Sequence, residues 1–266
     1  MPDRTAVTPA LRYLYDDTLA GLLCCVYESY TRREQVLDIC PAQTAPLSLY
    51  PTRLVETDEA HARRVYDSLA VKLGGEGQEL VVTAFAHCDQ ARALTLFQFI
   101  AMGYRCGARV CRMLGDPVVS SVHKMHDAVL RERHLLLGFV RFSECPPERG
   151  LALPGDKNVL AAVIEPKHRV LPMLAEHFCN RFPEERFFIY DKTHRLALVY
   201  QPYQPTLVEL DAFELPQGDD SEQLYQRLWQ GYYDAIAIAQ RANPRCRRNL
   251  VPKRFWPNMT ELKGQV

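Results

Sequence analysis

The hydrophobic period of this chain changes at Gly138, and that change sets the fold class. Upstream, apolar residues recur at helical spacing. Leu19, Leu22, Leu23, Val26 and Tyr30 share one face of "TLAGLLCCVYESYTRR". A short predicted strand, "LRYLY", precedes it, and Asp16 and Asp17 offer N-cap chemistry. Thr57 is the predicted cap of a second helix that ends at Gly74-Gly75, with Asp58 and Glu59 in the first turn where the macrodipole favours them. Glu79 to Met113 reads as helical, broken near His87–Asp89 and at Gly107. Asp116-Pro117 starts a long helix, with proline at the first helical position.

Past Gly138 the pattern alternates. "GFVRFSE" reads as a strand, as do "NVLAAVIEP", "RFFIYDKT", "RLALVYQP" and "TLVELDAF", with "DKTH" as a hairpin loop. Helices are expected over about 168–182 and from Ser221 to about Gln240. The expected class is α+β: a helical N-terminal half followed by a mostly antiparallel sheet with packed helices. The expected regions are 1–115 and 116–266, the second holding the long helix, the strands, a C-terminal helix and a basic tail.

Hydrophobic residues make up 47% of the 266 and charged residues 24%, which excludes a disordered chain. Formal net charge is zero, so no global field draws in a polyanion and any such contact needs a local patch. The charges are segregated, however. From Ala235 to Thr260 there is no carboxylate, while Arg241, Arg245, Arg247, Arg248, Lys253 and Arg254 all fall there. The nine cysteines form no CxxC pair, no apolar leader opens the chain, and no apolar run approaches the ~20 residues of a membrane span. Free, mostly buried thiols in a reducing cytoplasm, away from any membrane, are expected.

Most catalytic motifs are absent. There is no HExxH, no G-x-S-x-G elbow, no P-loop and no GxGxxG. His123, His126 and His134 lack a completing carboxylate or thiol at familiar spacing, and Cys106 and Cys111 read as apolar packing. One acidic arrangement fits a hydrolase. Asp156 and Glu165-Pro166-Lys167 bracket the strand "NVLAAVIEP", as carboxylates holding Mg²⁺ and a lysine steadying hydroxide would. His134 or His177 would then act as acid or base. Against this, Pro166 ends the strand where such a motif continues, and Asp156 sits in a "PGDKN" turn.

The tail "RRNLVPKRFWPNM" allows two compatible readings. Phe255 and Trp256 stack on bases or pack on the domain, while the cations reach a phosphate backbone. Six phosphate contacts would give a slope of log K against log salt near ~ −5.

Four stretches carry a family resemblance: "YLYDDTLAGLLCCVYESY", "RERHLLLGFVRF", "IEPKHRVLPMLAEHFCNRFPEERFFIYDKTHRLALVY" and "VPKRFWPNM". They resemble an uncharacterised bacterial family described as DNA metabolism or DNA repair proteins. Its members are paired with a radical-SAM protein, and a related domain is fused ahead of a uracil-DNA-glycosylase-like module. The matching positions are Arg133, His134, Gly138, Phe139, Arg141 and Phe142; Glu165, Pro166, His177, Phe178, Arg181, Phe182, Tyr190 and Asp191; and Pro252 to Trp256. Leu135 and Leu136 depart from it, standing where a basic residue is expected. The glycosylase loops are missing, so this chain is not expected to excise uracil alone.

The resemblance and the basic tail together imply an accessory DNA-binding protein acting beside a radical-SAM partner. Arg133, Arg141, Arg181, Arg245, Arg247, Arg248, Lys253, Arg254 and Trp256 are the expected contacts. The alternative is a metal-dependent nuclease or hydrolase of damaged or modified DNA, and only that alternative calls for a cofactor, Mg²⁺.

Overall fold

A computed structural model describes residues 10–145, 159–213, 220–236 and 243–262. The chain forms two compact units, Met1–Leu130 and Arg131–Val266. Its class is the expected one: a largely helical first half, then a mostly antiparallel sheet with helices packed around it.

Unit 1 begins with β1 (Ala10–Tyr15) and α1 (Leu19–Arg32). Thr18 caps α1, accepting the Gly21 N–H on its hydroxyl. This corrects the expectation that Asp16 and Asp17 cap it. Asp16 instead accepts from the N–H and hydroxyl of Thr18 and from the Thr57 hydroxyl at 2.7 Å. These bonds outweigh its burial and hold its carboxyl below the usual range. Asp17 takes the left-handed backbone at φ 64° and receives Arg92 and the Tyr15 phenol. Asp58, not Thr57, caps the next helix, α2 (Glu59–Phe85), by accepting the His61 N–H at 2.8 Å. Thr57 is free for Asp16 because the true cap lies one residue later.

The expected stop at Gly74 is a kink inside α2, where Gly74 adopts φ 78°. The helix resumes because Leu73, Leu80, Val81 and Ala84 stay buried on either side of it. α3 (Arg92–Cys106), a 3-10 turn (Gly107–Arg112) and α4 (Pro117–Phe139) follow, and the unit boundary falls within α4. Two strands accompany β1: β2 (Gln35–Pro41) and β3 (Thr52–Leu54), both parallel to it, in the order β2-β1-β3. Of the nine cysteines four are buried, and burial pushes the Cys24, Cys25 and Cys111 thiols up.

In unit 2 the sheet runs β4-β5-β6-β7-β8. These are Ser143–Cys145, Val159–Ile164, Phe187–Asp191, Leu196–Gln201 and Gln204–Glu209. Helical backbone persists to Phe139, so the strand expected from Gly138 is only Ser143–Cys145. All pairings are antiparallel except β5 with β6, which α5 (Leu171–Arg181) connects as a crossover. Phe142 packs edge-on against Phe178, Phe182 and Phe187, joining α5 to the sheet. Buried Asp191 builds the β6–β7 turn by accepting the N–H groups of Thr193 and His194 and the His194 Nδ1–H at 2.6 Å. α6 (Asp220–Ile236), α7 (Pro244–Leu250) and a 3-10 turn (Lys253–Asn258) complete the unit.

Gly21 is required by close approach. A Cβ there would lie 2.2 Å from Asp16 Oδ1 and 3.0 Å from Thr57 Oγ1. Gly21→Ala is expected to break this knot and lower stability by about 2 kcal/mol in urea unfolding, the cost of overpacking. Gly75→Ala, with nothing within 4 Å, is the control.

Candidate nucleic-acid interface

The tail is held by a buried carboxylate. Glu132 on α4 is 3% exposed. Its Oε1 accepts the Lys167 N–H at 2.9 Å and the Arg254 guanidinium at 2.6 Å, and its Oε2 accepts the His168 N–H at 2.7 Å. One side chain thus ties α4, the loop after β5 and the C-terminal segment together. Beside it Phe255, Trp256, Met259 and Leu262 are buried. The Trp256 indole N–H donates to the Val251 carbonyl at 2.9 Å, and Phe255 meets Phe139 at 6.5 Å between ring centroids. Of the two readings of the aromatics, packing is the observed one. Phe255 is 3% and Trp256 6% exposed.

A second carboxylate, Glu261, fastens the end of the strap. It accepts Arg141 at 2.7 Å and the Trp229 indole N–H of α6 at 3.2 Å. Burial opposes its ionisation, but the bonds from Arg141 and Trp229 outweigh burial and hold its carboxyl below the usual range.

These joints divide the expected cations. Arg141 and Arg254 are committed to Glu261 and Glu132. Arg133 is half-buried and donates to the Met173 carbonyl at 3.1 Å, fixing α4 to α5. Arg181 is exposed and lies over the Phe182 ring. Lys253 is exposed and lies over Trp256 at 5.6 Å. On α7, Arg245 and Arg248 are exposed and Arg247 is half-buried. No residue of α7 is buried. Among the described residues no carboxylate lies within 4 Å of Arg245, Arg248, Lys253 or Arg181. Asn243 caps α7 by accepting the Cys246 N–H, with Pro244 at its first position. The cations of its last turn, Arg247 and Arg248, sit where the helix dipole favours them.

The hydrolase set does not assemble among the described residues. Asp156 lies outside them. Glu165 pairs with Lys192 at 3.5 Å, Lys167 is exposed, His134 is exposed, and His177 packs edge-on against Phe178. No candidate metal cluster among the described residues contains any of them. Sequence reasoning missed Glu132 and Glu261. Each is a lone acid in a cationic or apolar stretch, and only burial marks it.

Comparison with known proteins finds a family for the chain. Residues 90–261 match the family model described as domain of unknown function DUF4130. No curated protein and no solved structure matches the chain.

Glu132→Ala strands two backbone N–H groups and frees Arg254. A loss of about 3 kcal/mol is expected in chemical denaturation, and Glu132→Gln is expected to lose less. Glu261 gives a pH signature. Its folded pKa is depressed, so its contribution is present above the ordinary carboxylate range and is lost as pH falls through the folded value. Denaturant midpoints measured from pH 7 down to 4 are expected to fall on acidification. Glu261→Gln is expected to have a lower midpoint at pH 7 and a flatter profile.

Proposed function

The chain belongs to the DUF4130 family, and we propose that it is an accessory DNA-binding protein, acting in repair or modification beside a radical-SAM partner. The observation that carries this reading is α7: a helix with no buried residue, three arginines in seven positions, and no carboxylate near Arg245 or Arg248 among the described residues. Desolvating a guanidinium already matched to a buried acid gains a phosphate little, whereas exposed, unmatched cations release counterions from DNA at no such cost. The phosphate set is therefore Arg181, Arg245, Arg248 and Lys253, with Arg141 and Arg254 left to structure. Such contacts position a protein on the duplex without reading sequence. The radical-SAM partner follows from the family resemblance carried by the four sequence stretches.

Filter binding to a short labelled duplex across a salt series tests this. Four phosphate contacts predict a slope of log K against log salt of about −3.6. Arg245→Ala/Arg248→Ala is expected to make it shallower by about 1.8, with folding stability unchanged. A salt-independent or undetectable affinity would overturn the reading.

A further inference from the structure

α6 is mounted with its apolar face outward. Gln230 donates to the Thr260 carbonyl at 2.8 Å, Trp229 to Glu261, and Glu222 accepts the Glu144 N–H at 3.3 Å. Polar bonds thus hold the helix to the body. Its large apolar side chains stay in solvent: Leu224 at 48%, Tyr225 at 64%, Leu228 at 59%, Trp229 at 43% and Tyr232 at 56% exposure. Tyr225, Leu228, Trp229 and Tyr232 also wall an open cleft of ≈ 670 Å³. An amphipathic helix ordinarily buries this stripe against its own domain. A contiguous uncovered one marks an interaction surface.

We propose that a second copy of this chain covers it, two α6 helices packing antiparallel across a two-fold axis at Leu228. The exposed stripe itself carries no charged side chain, which does not suit a polyanion. The stripe is self-complementary. Antiparallel pairing about Leu228 brings Leu224 to Tyr232. It also sets Tyr225 against Gly231, where a Cβ would meet nothing within 4 Å, so the notch is open. The area suffices. Five side chains about half exposed offer roughly 500 Å² per copy. Two copies bury roughly 1,000 Å², the lower bound for a specific interface, with the aromatic composition such cores favour. The contact is isologous, so it closes at two.

Sedimentation velocity over a concentration series tests the proposal on the full chain. The wild type is expected to pass from monomer to dimer. Leu228→Asp and, independently, Gly231→Phe are expected to raise the dissociation constant at least about 30-fold, the loss of a central hot-spot residue. Both positions face solvent, so circular dichroism is expected to be unchanged. In a Cys88→Ser/Cys246→Ser background, which removes the two exposed thiols, Leu228→Cys is expected to cross-link to its copy with a short bismaleimide, and Gln223→Cys is not. A wild type that stays monomeric throughout, or a dimer indifferent to Leu228→Asp, would overturn it. The salt slope of DNA binding is read separately and does not enter this outcome.

Discussion

Unit 2 depends on a carboxylate taken out of water. Removing Glu132 from solvent costs several kcal/mol unless every lone pair is matched. Here the matches are two backbone N–H groups and one guanidinium, drawn from positions 35, 36 and 122 residues away. The two N–H groups lie in the loop after β5, where the chain leaves the sheet and no ladder partner is present. Pro166 ends the strand, and Glu132 supplies the acceptor that the sheet withdraws. The same residue that argues against a nuclease strand thus creates the need for a buried acid.

That joint decides what the basic tail can do. A neutral chain with segregated charge could have cancelled its tail cations one by one. It cancels selectively instead. Arg254 and Arg141 each meet an acid that is at most 9% exposed, and both acids sit where helix, sheet and strap converge. Among the described residues, Arg245, Arg248 and Lys253 have no carboxylate within 4 Å. Exposed pairs are worth little, so folding has no strong reason to recruit them. The aromatic strap between them fixes where α7 ends, because Trp256 closes onto Val251, the residue that follows the helix.

Much of the fold was legible in the sequence because most elements are bounded by strong punctuation. Asp116-Pro117, the Gly107 break and the turns around β6 and β7 have local causes, and the structure places elements there. What was illegible has non-local causes. β2 contains Asp38 and follows Glu34, so no clean alternation marks it. It pairs in parallel with β1 across a whole helix, and Arg12 from β1 meets Asp38 at 3.3 Å. α7 hid inside a stretch read only for its charge, although Asn243 and Pro244 together are a helix start. The caps of α1 and α2 slipped by one or two residues because Asp16 joins two helix starts instead of capping one. At the candidate site the cations were legible as a composition, but which of them are already spoken for was not. Pairing with Glu132 and Glu261 is a fact of tertiary distance alone.

The family pattern can be reread in this light. Phe139 meets Phe255, Arg141 meets Glu261, Phe142 fills the α5–sheet seam, Asp191 builds a turn, and Arg254 closes on Glu132. These five motif positions are joints. These joints report how the chain folds. Function then has to be sought among side chains that the joints leave over. Among the described residues of unit 2 these fall into two kinds: Arg181, Arg245, Arg248 and Lys253, with no carboxylate within 4 Å, and the outward apolar stripe of α6. One small unit thus carries two surfaces of opposite chemistry, each left over after the joints are made.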